Sequence, residues 1–273
     1  MIRKKYDNRP IGVFDSGIGG LTVAAALRRA LPSEHIIYLG DTARVPYGVK
    51  SEEAIRHFAE QDVEFLFRRG VKMIVAACNT VSAVALGHVQ QMYPDLPMTG
   101  VIEAGVQAVV ESCAESVTVI ATRATVNSDA YRRALHAVNP GLIVETIACP
   151  LLVPFAEEGI CDEPLTFHVL DLYLSSVRRN PTDALLLGCT HYPVFRKALE
   201  HYFGNSLKIL DSAAACAVQL TRFLQEHSLS ANPKQTGKSR FFMTDLPSDI
   251  QESACRFLGE QTRPRVEKVV LGD

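Results

Sequence analysis

Short apolar runs alternate with longer amphipathic stretches along nearly the whole chain, and this alternation restricts the fold more than any other feature. The runs at 10–14, 35–39, 71–76, 98–101, 117–121, 142–147, 183–187 and 207–210 are rich in Val, Ile and Leu. They are continuous rather than alternating in polarity, the pattern of strands covered on both faces. Between them, 20–30, 51–69, 102–114, 126–138, 164–179 and 192–203 carry helical patterning. The order predicts an α/β fold with mainly parallel sheets. Ligands in such folds sit beyond the carboxyl ends of the strands, so the residues that follow each apolar run are the ones to inspect. A polar stretch with Pro and Gly at 229–239 predicts a linker. Beyond it, 240–244 and 265–270 predict strands and 247–258 a helix.

The size and charge of the chain exclude several classes. At 273 residues it corresponds to roughly two domains and buries a core without disulfide staples. Lys and Arg number 28 against 30 Asp and Glu, a net charge of −2. A nucleic-acid binder would show a basic excess. No run of about 18 apolar residues predicts a membrane span. The basic start, Met-Ile-Arg-Lys-Lys, has no apolar segment behind it, so no signal peptide is expected, and the short lead before the first strand argues against a long regulatory extension. The seven cysteines form no Cys-x-x-Cys pair, which removes the zinc-ribbon and thioredoxin-type readings. Unpaired thiols in a chain without a signal predict a reducing, cytoplasmic setting.

Several strand ends carry residues of interest. Asp15-Ser16-Gly17-Ile18-Gly19-Gly20 follows the first run, but Thr22 stands where a dinucleotide fingerprint needs its third glycine. Backbone amides of this segment could approach an anion, or the glycines could serve a tight strand-to-helix turn; the segment alone favours neither, and Asp15-Ser16 tilts the balance toward a site. Gly237-Lys238-Ser239 imitates a phosphate loop, but Asn232 replaces its first glycine, and a flexible loop is the better reading. Pro46-Tyr47-Gly48 follows the second run, where it predicts an exposed aromatic hydroxyl and a close-approach glycine. An ordinary connecting loop is the bland alternative.

A weak internal repeat is visible in position rather than identity. The first run leads to Asp15 and a later one to Cys78-Asn79-Thr80; the run at 117–121 leads to Thr122 and a later one to Cys189-Thr190-His191. A thiol at a helix N-terminus is expected to have its pKa lowered from about 8.5. Most cysteines are buried and inert, which fits Cys113, Cys149, Cys161, Cys216 and Cys255. The shared strand-end placement sets Cys78 and Cys189 apart. With His191 they lack the ligands for a closed metal site, and no metal is expected.

Two thiols facing each other across a cleft would suit proton exchange at a stereocentre. One thiolate removes a proton from one face, the other thiol delivers a proton to the opposite face, and the configuration inverts. Backbone N–H groups and hydroxyls would hold the substrate carboxylates and the developing negative charge. No cofactor is needed.

The same segments carry a family resemblance. Ile11-Gly12-Val13-Phe14-Asp15-Ser16-Gly17-Ile18-Gly19-Gly20, Gly40-Asp41-Thr42 through Pro46-Tyr47-Gly48, Ala77-Cys78-Asn79-Thr80, Gly100-Val101-Ile102-Glu103, Thr125-Val126 through Ser128 and Tyr131, and Leu187-Gly188-Cys189-Thr190-His191-Tyr192-Pro193 resemble the bacterial glutamate racemases. These belong to the cofactor-independent aspartate/glutamate racemase superfamily. The resemblance implies two pseudo-symmetric α/β domains with the active site between them, one of residues 1–101 plus 211–273 and one of 102–210. It implies that Cys78 acts on D-glutamate and Cys189 on L-glutamate, with Asp15 assisting the first and His191 the second. Asp15, Ser16, Tyr47, Gly48, Asn79, Thr80, Thr190 and His191 would contact substrate, and Glu157 would stand as an acid near the second half-site. D-Glutamate would enter peptidoglycan precursors, and members of the family are often homodimers. Ala104 and Ala121 stand where the family often has Pro and Gly, a departure that touches local backbone shape. The competing expectations are an aspartate racemase or other superfamily member, and a catalytically silent protein that binds anionic ligands.

Overall fold

The computed structural model describes residues 6–261 and 263–272. Ten strands run in chain order: β1 (Ile11–Asp15), β2 (Ile36–Gly40), β3 (Met73–Ala76), β4 (Met98–Gly100), β5 (Ser116–Ala121), β6 (Ile143–Ala148), β7 (Ala184–Gly188), β8 (Lys208–Asp211), β9 (Ser239–Met243) and β10 (Val266–Lys268). Each falls within a few residues of an expected run. The helices are α1 (Leu21–Ala30), α2 (Glu52–Phe67), α3 (Asn79–Val84), α4 (Leu86–Met92), α5 (Ile102–Glu111), α6 (Arg123–Asn127), α7 (Ala130–Val138), α8 (Leu152–Glu157), α9 (Pro164–Arg179), α10 (Arg196–Phe203), α11 (Ser212–Glu226) and α12 (Ile250–Leu258).

The strands form two sheets, of order β10-β9-β2-β1-β3-β4 and β6-β5-β7-β8, and every pairing in them is parallel. The run β2-β1-β3-β4 and the run β6-β5-β7-β8 follow one plan. The positional repeat in the sequence is therefore a repeat of topology: β1 matches β5, and β3 matches β7. The central strands β1, β2, β3 and β7 are buried along their whole length, as continuous apolar runs require. The largest core cluster links Ile11 and Val13 of β1 and Leu21 to Leu27 of α1 with Leu185 and Leu187 of β7 and with residues of α9 through α12. That shared core joins the two sheets. Separate clusters cover the far face of each, Phe14, Ile74 and Val63 on one and Val117, Val119 and Leu186 on the other.

Local differences from the sequence expectation have identifiable causes. The stretch 126–138 is two helices, because Asp129 takes a left-handed conformation at φ 55°. The segment from Tyr192 starts as a 3₁₀ turn carrying Pro193 before α10 begins. The polar stretch 229–239 is pinned rather than flexible: Lys72 Nζ donates to Leu229 O, Ala231 N to Glu34 Oε1 and Gly237 N to Pro32 O. Gly237 lies so close to the Glu34 and Pro32 carbonyls that a side chain there would collide with backbone. Its glycine serves that contact. Among the described residues, no helix is long and apolar enough to cross a membrane.

Candidate active site

A cavity opens where the carboxyl ends of the two sheets converge. It is lined by Ser16 after β1, Val45 to Gly48 after β2, Cys78 to Thr80 after β3, Thr122 after β5, Val153 after β6, and Cys189 to His191 after β7. Equivalent strands of the two repeats thus each supply a piece of wall. Both candidate thiols face this one space, and the other five cysteines do not.

Cys78 ends the stretch after β3 and stands at the N-cap of α3. Its sulfur lies 3.6 Å from Ser16 Oγ. Burial pushes this thiol up to about 12, and the nearby Asp15 adds to the rise; Val81 N–H and Ser16 oppose it. The expectation of a lowered pKa at this helix start is therefore corrected: desolvation outweighs the amides of a helix this short. Cys78 rests as a neutral thiol.

The other half-site carries charge. Cys189 Sγ lies 3.9 Å from His191 Nδ1, and His191 Nε2 lies 3.1 Å from Glu157 Oε1. Burial works against a charged imidazole, but the Cys189 sulfur and the Glu157 carboxylate prevail and raise His191 to about 10. The ring is an imidazolium at neutral pH. A neutral thiol stands on one side and a sulfur beside an imidazolium on the other.

Asp15 joins the halves. It is fully buried at the end of β1; Gly17 N and Gly20 N donate to its Oδ2 at 3.1 and 2.9 Å, and Thr190 Oγ1 to its Oδ1 at 3.4 Å. The amides of the glycine segment therefore cradle the chain's own carboxylate. A Cβ on Gly20 would collide with Asp15, and one on Gly19 with His191 and Thr190. Burial raises the Asp15 pKa, with His191 and the two amides pulling the other way. Asp15 and Glu157 stand behind the cavity wall rather than on it.

Tyr47 lines the cavity with its ring, but its hydroxyl is buried, contrary to the exposed phenol expected from the Pro-Tyr-Gly turn. The hydroxyl donates to Asp41 Oδ2 and lies 3.2 Å from Asp62 Oδ2. The loop is thus anchored from behind, and Gly48 presses on Thr122 so closely that a Cβ would sit 2.8 Å from it. Across the same seam, Thr80 Oγ1 lies 3.1 Å from Thr122 Oγ1 and 3.3 Å from Thr125 Oγ1. Asn79 Oδ1 accepts from Tyr131 OH at 2.6 Å, while its buried amide nitrogen has no partner in the protein and is a donor available to a ligand.

The structure brings Ser16, Tyr47, Gly48, Cys78, Asn79, Thr80, Cys189, Thr190 and His191 to one cavity. It adds polar residues that the sequence reading did not assign: Thr122 and Thr125 on the hydroxyl seam, Tyr131 on Asn79, and Asp41 and Asp62 behind Tyr47. A signal for Asp62 exists in α2. It falls on the apolar stripe of Ile55, Ala59 and Leu66, and a carboxylate on such a stripe needs a partner. Among the described residues, no cluster of three or more His, Cys, Asp or Glu side chains is placed to hold a metal ion.

Comparison with known proteins places this sequence and fold among relatives. Residues 20–220 match the model of the Asp/Glu/hydantoin racemase family. The chain is 45% identical to a glutamate racemase of Chlorobaculum parvum, over 95% of this chain and 96% of the relative. It is 46% identical to one of Syntrophus aciditrophicus, over 99% and 100% of the two chains. The crystal structure of Francisella tularensis glutamate racemase in complex with D-glutamate superposes with a TM-score of 0.90 at 40% identity, covering 97% of this chain and 98% of that one.

Proposed function

The chain belongs to the Asp/Glu/hydantoin racemase family, and on that footing we propose that it is a glutamate racemase, an isomerase that interconverts L- and D-glutamate without a cofactor. The observation that carries the mechanism is the pair of thiols on one cavity, each at the end of an equivalent strand.

With L-glutamate bound, the Cys189 sulfur takes the Cα proton as its S–H bond forms, and the C–H electron pair remains on the substrate. Cys78, held as a thiol, delivers its proton to the opposite face and leaves as thiolate. That turnover ends with Cys189 as thiol and Cys78 as thiolate, and this is the state that acts on D-glutamate, Cys78 taking the Cα proton and Cys189 donating its own. Burial disfavours a Cys78 thiolate, so that state forms only with substrate in place, and Ser16 is set to hydrogen-bond it. His191 supplies positive charge beside Cys189, and Glu157 keeps that charge in place. Asp15 assists the Cys78 half-site, where its charge bears on the thiol, and it also fixes the turn that carries Ser16 and ties it to Thr190. The substrate carboxylates and the developing carbanion need donors, which Ser16, Asn79 Nδ2, Thr80 and backbone amides of the segments around the cavity, Thr190 among them, provide.

The product would feed peptidoglycan precursors, and the same reading places the enzyme in the cytoplasm, as a homodimer. The experiment is direct. Dialysed protein is incubated with L-glutamate or L-aspartate and the optical activity is followed. Loss of rotation toward an equal mixture is expected for glutamate. Activity on aspartate alone, or saturable binding with no racemisation of either, would overturn the assignment.

A further inference from the structure

Helix α12 contributes nothing to the cavity wall, yet it touches both members of the Glu157–His191 pair. Arg256 Nη1 donates to Glu157 O at 2.7 Å and to Ala156 O at 3.2 Å. The last carbonyls of a helix lack intrahelical donors, and here the end of α8 receives one from a side chain of α12. The guanidinium lies over Gly159, which has φ 75°; a Cβ there would come within 2.6 Å of Arg256 Nη2. Glycine at 159 thus satisfies both a left-handed backbone and the cation above it. The next residue, Phe257, packs edge-to-face with the His191 imidazole, with centroids 5.2 Å apart at 79°. Phe257 is buried, whereas the Glu157 side chain is 33% exposed. Water competes for a carboxylate that open, so its aim depends on how firmly its backbone is held.

We propose that Arg256, seconded by Phe257, is a positioning residue for the racemisation: from α12 it fixes the C-terminal turn of α8 and so aims the Glu157 carboxylate at His191. The proposal rests on the reading that His191 and Glu157 serve the Cys189 half-site. It also assigns work to a segment between β9 and β10, in the six-stranded sheet, on behalf of residues that the four-stranded sheet carries. Arg256 acts through backbone carbonyls. Among the described residues, the carboxylate that pairs with it is Glu252, 4.0 Å away and 74% exposed, so that contact adds little. The groups that face His191 are the Cys189 sulfur, the Thr190 hydroxyl, Glu157, the charge of Asp15 and the apolar ring of Phe257. Glu157 is the member of that set that Arg256 controls.

The test compares Arg256→Met and Arg256→Lys with the parent enzyme, full chain in each case, by kcat, KM, the pH profile of kcat/KM, and thermal unfolding. For Arg256→Met we expect kcat to fall roughly ten- to a hundredfold with little change in KM. The basic limb of the profile should move down by about one pH unit, because a displaced Glu157 holds the His191 proton less firmly. Arg256→Lys, which reaches one carbonyl, should recover most of the rate. L- and D-glutamate have equal free energies, so kcat/KM must fall by the same factor in both directions. An unchanged kcat and profile in Arg256→Met would overturn the proposal, and so would a loss of rate that tracks a fall in Tm with the limb unmoved. Glu157→Gln and His191→Asn separate the two layers. If they lower the rate while Arg256→Met does not, only the positioning role fails. If they too leave the rate and profile intact, the reading of the half-site fails.

Discussion

Asp15 shows how one side chain can serve fold and chemistry together. Its carboxylate closes the turn after β1 by accepting from Gly17 and Gly20, and reaches Thr190 on the other half of the site. The glycine segment left two readings in the sequence, turn or anion cradle, and the structure unites them: the anion is internal. Asp15→Asn keeps the shape and one acceptor oxygen but removes the charge. We expect a correctly folded protein whose kcat is lower by about 100-fold or more, the scale of lost acid–base assistance. Steady-state rates with both enantiomers, alongside an unfolding curve, check this; a near-normal rate would mean that Asp15 only shapes the turn. Tyr47 teaches the opposite lesson. Its sequence context, a Pro-Tyr-Gly turn, has the look of an exposed loop, and nothing local announces that Asp41 and Asp62 lie behind it. Burial is a property of the surroundings, and a three-residue motif does not contain it.

At the scale of elements, the strands were legible because buried parallel strands are continuous apolar runs bounded by turn residues. Helix ends were legible where a cap or proline marks them, as at Pro164 of α9. α11 was harder to see: its first turns, Ser-Ala-Ala-Ala-Cys-Ala, have little contrast between faces, although Asp211 caps it by accepting from Ala213 N at 2.8 Å. The stretch 229–239 misled because composition reports polarity and not partners. Its anchor is Lys72, fully buried at the start of β3, whose Nζ meets Glu34 Oε2 at 2.5 Å, Asp7 O at 2.8 Å and Leu229 O at 2.6 Å. All three ammonium donors are used at the amino end of the sheet, away from the cavity. Lys72→Met leaves Glu34 buried and unpaired, which costs about 3–5 kcal/mol. We expect Tm to fall by roughly 10 °C, with kcat and KM unchanged below the transition. Calorimetry with a parallel rate measurement tests this; an unaltered Tm would show that the site relaxes or takes in water.

For the molecule as a whole, the informative feature was the spacing of strand ends. Two β-α units with the same strand order place Cys78 and Cys189 at matching positions, and the shared core of α1, α9 to α12, β1 and β7 holds the two sheets so that those ends converge. The sequence revealed the positions but not the convergence, which depends on packing between segments far apart in the chain. The proton states of the two halves were also beyond it, since they follow from burial at Cys78 and from the Cys189–His191–Glu157 contacts. The central claim is that the two sulfurs act on opposite faces of one carbon. The most direct measurement follows Cα–H by NMR and configuration by circular dichroism in D₂O, for the parent enzyme, Cys78→Ala and Cys189→Ala, starting from each enantiomer. Deuterium is expected at Cα of every product molecule in the parent, with no racemisation in either variant. Full racemisation by one of the single-cysteine variants would contradict the central claim.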